Sequence, residues 1–234
     1  MISFNGVGME TVAPVYIEDI VVSPIQLSPQ TRQRPIRFGA DFVRMGGGTR
    51  TVTVTFALMT NDRDLRRRQL DALNAWARTD TEGRLTLPYH PDRYLQCICT
   101  ERPATSAWKW WENKLKFTFT AFDDPYWVDT DEKSVACGTA FTVQGTAHDG
   151  PLMRIERTLS NAASNQAYSN GTESMTFSTI PAGDMVIDLN RQTAAVGNAS
   201  IMQYYTFGSA FLLPRNGAQT ITGTGTVKWR ERWE

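Results

Sequence analysis

The segment RTVTVTFALM, residues 50–59, alternates apolar and polar positions without a break. Val52, Val54, Phe56 and Leu58 fall on one side, and Thr51, Thr53, Thr55 and Ala57 on the other. A repeat of two predicts an extended strand with one buried face. The pattern then turns helical over NDRDLRRRQLDALNAWARTD, where Leu65, Leu70, Leu73, Trp76 and Ala77 share a face. A helix over about residues 61–79 is expected. Thr60 or Asn61 stands where a cap belongs, and Asp62 and Asp64 put negative charge where the helix dipole favours it. Alternation returns in LKFTFTAFDDPYW, with Leu115, Phe117, Phe119 and Ala121 on one side. Strand, helix, strand in this order predicts a sheet covered by a single helix.

Before this block, residues 11–27 hold two short β-prone runs, Val15–Ile17 and Ile20–Val22, the second ended by Pro24. From residue 28 to 50 the periodicity fades. The stretch carries Arg32, Arg34, Arg37, Arg44 and Arg50, two prolines, and Gly46, Gly47 and Gly48 in a row. It reads as an extended arm or long hairpin with a flexible joint at the glycines. Two uses fit: a solvated surface loop, or an arm that reaches a neighbouring subunit. A phosphate cradle does not fit, because a strand rather than a helix follows the glycines. After the helix come a turn at Gly83, a short strand with Leu85 and Leu87, and a strand over Tyr94–Thr100. Residues 102–117 form a hairpin-like excursion rich in tryptophan, with Trp108, Trp110 and Trp111. Such rings stack on sugars or close a contact with a partner. The candidate subunit interface is therefore Arg32, Arg34, Arg37, Arg44, Gly46, Gly47, Gly48, Trp108 and Trp110.

The polar run DDPYWVDTDEKS separates a first domain, residues 1–130, from a second, residues 131–234. The second reads as all-β, with turns signalled at Asn170–Gly171, Pro181–Gly183, Gly197–Asn198 and Asn216–Gly217. Expected strands include Ala140–Val143, Leu152–Leu159, Glu173–Ile180, Met185–Asp188, Ile201–Thr206 and one long strand over Gln219–Trp229. Short strands this dense predict a small antiparallel sandwich.

Charge and chemistry narrow the function. The 234 residues carry a formal net charge of zero, so nothing suggests bulk neutralisation of phosphates. No apolar run approaches the length of a membrane span. The N-terminus lacks the pattern of a signal peptide, so synthesis in the cytoplasm and no membrane insertion are expected. Cys97 and Cys99 lie two apart on a strand, too close for an unstrained disulfide; with Cys137 they are expected as buried or half-buried thiols. His90 and His148 lie far apart and give no metal-ligand spacing. There is no G-x-S-x-G and no H-E-x-x-H. No catalytic, cofactor or metal residues emerge.

The order RTVTVTF, a helix ending LNAWA, RLTLPYHPDRYLQC and FDDPYW resembles the N-terminal domain of siphophage distal tail proteins. In the second half, MVIDLNRQTAAVGNAS and FLLPRNGAQTITGTGTVKWRERW resemble the same family's closing strands. The tryptophan-rich segment 102–112 departs from the pattern. The resemblance implies a mainly β protein, with a β-sandwich-like N-terminal domain bearing one α-helix and a C-terminal galectin-like antiparallel β-sandwich. It implies a structural virion protein: a homo-hexameric ring at the distal end of a long non-contractile tail. Such a ring joins the tail tube protein to the tip or baseplate hub protein, and DNA passes through its lumen without specific binding. A receptor-binding protein is a further implied partner. The resemblance implies no enzymatic activity and no cofactor. The competing reading is a carbohydrate- or receptor-binding β-sandwich module of the tail tip, with the Trp108–Trp111 cluster as its platform.

Overall fold

A computed structural model of the chain describes residues 1–33, 40–103 and 114–234, with backbone only for residues 27–33 and 40–47. The chain divides into two compact units, Met1–Trp127 and Val128–Glu234. Both are mainly β, and every strand pairing described below is antiparallel.

The first unit opens with β1 (Ser3–Phe4) and β2 (Val7–Gly8). Asn5 and Gly6 turn this hairpin with φ angles of 52° and 79°. Positive φ at both central residues matches the twist of a two-residue hairpin. The single turn α1 (Met9–Val12) leads to β3 (Val15–Val22), one strand where two short runs were expected. The register slips between Ile17 and Asp19, so Glu18 is an inserted bulge residue. Next come β4 (Gln26–Gln33) and β5 (Ala40–Leu58), then α2 (Arg63–Trp76). The cap of α2 is Asp62, not Thr60 or Asn61: its carboxylate accepts from the Leu65 N–H at 2.8 Å. The helix is also shorter at both ends than the polar flanks suggested.

β6 (Gly83–Leu87), β7 (His90–Glu101) and β8 (Leu115–Ala121) complete the sheet, in the order β2-β1-β6-β7-β8-β5-β3. Gly83 begins β6 rather than making the turn before it. On the inner face Val52, Val54, Phe56, Phe117 and Phe119 are fully buried. Phe56 stacks on Phe117 at 5.2 Å between ring centroids, and Trp76 of α2 meets Phe117 edge-on at 5.9 Å. The Trp76 indole N–H donates to the Val7 carbonyl at 3.0 Å. Helix α2 thus covers the inner face and ties the N-terminal hairpin down. Leu65, expected on the apolar face, is instead exposed.

β9 (Trp127–Asp129) spans the boundary between the units; in the second, β10 (Lys133–Ala136) and β11 (Ala140–Val143) lead to β12 (Leu152–Leu159). Then follow β13 (Ala163–Ser169), β14 (Ser174–Ile180), β15 (Gly183–Asp188), β16 (Thr193–Val196) and β17 (Ala199–Ser200). The last three are β18 (Gly217–Thr220), β19 (Thr226–Arg230) and β20 (Arg232–Trp233). A six-stranded sheet, β10-β19-β12-β15-β16-β17, faces the pairs β11-β18 and β13-β14. Met153, Ile155, Met185, Ile187 and Val227 from the sheet pack with Phe141, Tyr168, Met175 and Phe177 from the pairs. Two sequence expectations fail here. Ile201–Thr206 is no strand; it holds a 3-10 turn at Met202–Tyr204. Gln219–Trp229 is two strands, broken at Gly223 (φ 134°), where a Cβ would lie 2.4 Å from the Tyr168 ring.

Candidate assembly surface

Strand β5 has two halves. From Arg50 onward it pairs on one side with β8, Arg50 opposite Ala121 through Phe56 opposite Leu115. From Val52 onward it also pairs on the other side with β3. Over Ala40–Thr49 it pairs, among the described residues, with β4 alone. The hairpin β4–β5 therefore runs on past the sheet as a two-stranded ribbon with an open edge. A lone ribbon is at best marginally stable in water, and an open edge is a template for another strand.

The candidate interface residues fall mostly on this ribbon. Arg32 lies in β4 opposite Asp41, and Arg44 lies in β5 opposite Gln30. The three glycines do not form a joint: Gly46, Gly47 and Gly48 lie within β5. Leu27 pairs with Gly48 and Pro29 with Met45, so the ladder carries an extra β5 residue at Gly46–Gly47. A second slip falls between the pairs Gln30–Arg44 and Thr31–Phe42. Bulges of this kind bend and twist a ribbon. Arg34, Arg37, Trp108, Trp110 and Trp111 lie outside the described residues.

The outer face of the β3-β5-β8-β7 sheet is different in kind. Thr51 stands opposite Thr120, and Thr53 opposite Thr118. Thr100 and Thr120 hydroxyls are 3.0 Å apart, and the Thr118 hydroxyl donates to Glu101 at 2.9 Å. Asp19 and Lys116 flank Thr55 on its two sides.

The second unit carries its polar chemistry in ion pairs that hold the fold. Arg154 on β12 lies opposite Lys228 on β19, a like-charge pairing that would weaken a ladder. Glu156 reverses it, accepting from Arg154 Nε at 2.5 Å and meeting Lys228 Nζ at 2.7 Å. Lys228 and Arg154 hold the Glu156 carboxyl below its ordinary value. Glu132 takes Arg154 in a two-pronged contact at 2.7 and 2.9 Å. Glu173 clasps two segments: it accepts from Asn170 Nδ2 at 2.8 Å, the Leu213 N–H at 2.9 Å and Arg215 at 2.7 Å. Burial opposes its ionisation, but these donors together keep its carboxyl below the usual value.

Among the described residues the thiols are not activated. Cys97 is buried, and Cys99 and Cys137 are half-buried. Burial pushes the Cys97 thiol up, and pushes Cys99 up to about 11. Both stay thiols at neutral pH, the reverse of a nucleophilic cysteine. Among the described residues no cluster of His, Cys, Asp and Glu could hold a metal.

No family model matches the sequence, and no curated protein does. Solved structures do match. The SPP1 Dit protein, described as a paradigm of the hub adsorption apparatus in phages infecting Gram-positive bacteria, superposes with a TM-score of 0.73 at 15% identity. The match covers 100% of this chain and 98% of that one. A chain of the phage P2 baseplate, in its activated conformation with Ca, gives a TM-score of 0.44 at 9% identity, covering 94% of this chain and 91% of that chain. The resemblance carried by RTVTVTF, LNAWA and FDDPYW thus has its counterpart in three dimensions: from end to end, this chain has the fold of the SPP1 Dit protein.

Proposed function

We propose that the chain is a structural subunit of a phage tail, forming a hexameric ring at the distal end of a long non-contractile tail. The ring joins the tail tube protein to the tip or baseplate hub and lets DNA pass through its lumen. The observation that carries this is the shared fold with the SPP1 Dit hub protein over both units, with almost nothing left over in either chain. The β4–β5 ribbon supports it. A ring needs an interface in which one patch meets a different patch on the next copy. A ribbon that leaves its own sheet and keeps an open edge supplies one such patch by strand addition. In this reading the second unit, a galectin-like sandwich, sits outside the ring and supports a receptor-binding protein.

Native mass spectrometry and negative-stain imaging of the purified protein test the proposal. Six-membered rings are the expected result. A protein that remains monomeric at every concentration and finds no place in a tail overturns it.

A further inference from the structure

We infer that Phe207, on the second unit, is a preformed knob that seats in an apolar socket of a different protein of the tail. The inference rests on the tail reading above and names the residue that would anchor such a partner. Phe207 is 100% exposed, and no other large apolar side chain among the described residues exceeds 67%. Exposure of this kind is ordinary on a wandering loop, but this loop is fixed. The Thr206 carbonyl accepts from the Ser209 N–H at 3.2 Å and from the Ser209 hydroxyl at 2.7 Å, which closes a four-residue turn. Gly208, third in that turn, has a φ of 86°, the positive angle such a turn requires there. The Tyr205 hydroxyl donates to the Ser209 carbonyl at 2.7 Å. The Tyr205 ring in turn packs on the buried Phe177 and on Phe211, with centroids 5.7 Å apart in each case. On either side, the Thr206 and Ala210 N–H groups donate to the Thr176 and Ser174 carbonyls of β14 at 2.8 and 2.9 Å. The turn is thus held at both ends and across its middle, while the ring at its tip is left bare. A loop already ordered loses little freedom on binding, and a whole aromatic surface remains to be covered.

The surroundings of the ring select its occupant. A convex tip cannot enclose a small ligand, which needs a concave site. It makes a poor platform for a sugar, since the hydroxyls of Tyr205 and Ser209 donate inward to the turn's own carbonyls. From Gln192 to Pro214 the chain carries no charged residue, so nothing beside the ring draws it to an acidic partner or an anionic membrane. A second copy offers no matching seat on the broad outer face of its six-stranded sheet, where Arg154, Glu156 and Lys228 are ion-paired. What fits is a protein with an uncharged apolar hollow, held through a contact that salt does not weaken. A single buried aromatic anchor of this kind carries a large share of the affinity of many interfaces.

Photocrosslinking in the intact tail tests this. Phe207 is replaced by the photoreactive analogue p-benzoylphenylalanine, the tails are irradiated, and the joined peptides are identified by mass spectrometry. A bond to an apolar side chain of a different tail protein is the expected result. Phe207→Ser is then expected to lower the amount of that protein in washed tails on the order of tenfold or more, with Phe207→Leu retaining most of it. The rings and the melting temperature of Phe207→Ser stay as in the parent, because no core depends on the ring. A bond to a second copy of this chain, or no bond at all, overturns the inference. So does an undiminished partner in Phe207→Ser tails, or a partner that high salt strips from the parent. Absence of the unmodified chain from tails overturns the tail reading itself, and the knob falls with it.

Discussion

The two halves of β5 are one strand in two environments. Arg50–Leu58 has β3 and β8 beside it and a helix over one face, and its sequence alternates strictly. Ala40–Thr49 has β4 alone, carries two register slips, and shows no alternation at all. Alternation records a core supplied by the same chain. Where that core ends, the sequence is free of its period, although the backbone goes on as strand. The contrast teaches that a fading pattern marks the end of the chain's own packing, not the end of its secondary structure.

Four experiments sharpen or break this contrast. Removal of Arg32–Gly48 has the largest expected effect, and it falls on assembly alone. Rings vanish in negative stain, while the monomer melts within about 3 °C of the parent, because β5 pairs with β8 and β3 only beyond the deleted segment. Rings that survive the deletion would make the ribbon an ordinary surface hairpin. Phe117→Ala strikes the other half. It removes a fully buried ring stacked on Phe56, and urea unfolding is expected to show a loss of about 3–5 kcal/mol.

Asp62→Ala leaves both halves of β5 alone and tests the cover over one of them. Loss of the bond to the Leu65 N–H is expected to cost about 1 kcal/mol, with Asp62→Asn recovering most of it. Thr53→Val, on the outer face, is expected to change stability by less than about 0.5 kcal/mol, since no core depends on it. A large loss there would show that the hydroxyl face is packed against something within the subunit.

Much of this fold was legible in the residues. The helix, the strands around Val52–Leu58 and Leu115–Ala121, and most strands of the second unit follow from periods of two and 3.6. What escaped has physical reasons. The β1–β2 hairpin is only two residues deep on each side, too short for any period; its one signal was the Asn5–Gly6 pair. Ile201–Thr206 has strand-like side chains but is not in a strand, so it closed into a turn over the core instead. The run at 219–229 looked unbroken because β-branched residues surround Gly223, yet only glycine fits against Tyr168 there. For the candidate interface, the stretch read as an extended arm or a long hairpin; the hairpin is what forms, and the joint expected at Gly46–Gly48 is strand instead. The pairing that makes them a ribbon comes from β4, upstream in the chain, and no local period records it.

The second unit adds a pH-dependent term independent of the ribbon. The Glu173 carboxyl sits below its ordinary value in the folded protein. Its contribution is therefore present above the unfolded-state value and is lost as pH falls through the folded one. Thermal melts of Glu173→Gln against the parent should differ most at neutral pH and converge in acid. A constant difference at all pH values would show that the clasp acts by shape and not by charge.

The bulge at Glu18 reaches further than its own strand. Among the described residues strand β3 ends the sheet, and its middle presents Glu18 and Asp19 side by side, with Lys114 Nζ 3.5 Å from the Glu18 carboxylate. Two copies brought edge to edge about a dyad would set these carboxylates against one another, and the inserted residue would throw their ladders out of step. Two-fold pairing through that margin is thereby disfavoured. That suits the head-to-tail sense of contact on which the proposed ring depends.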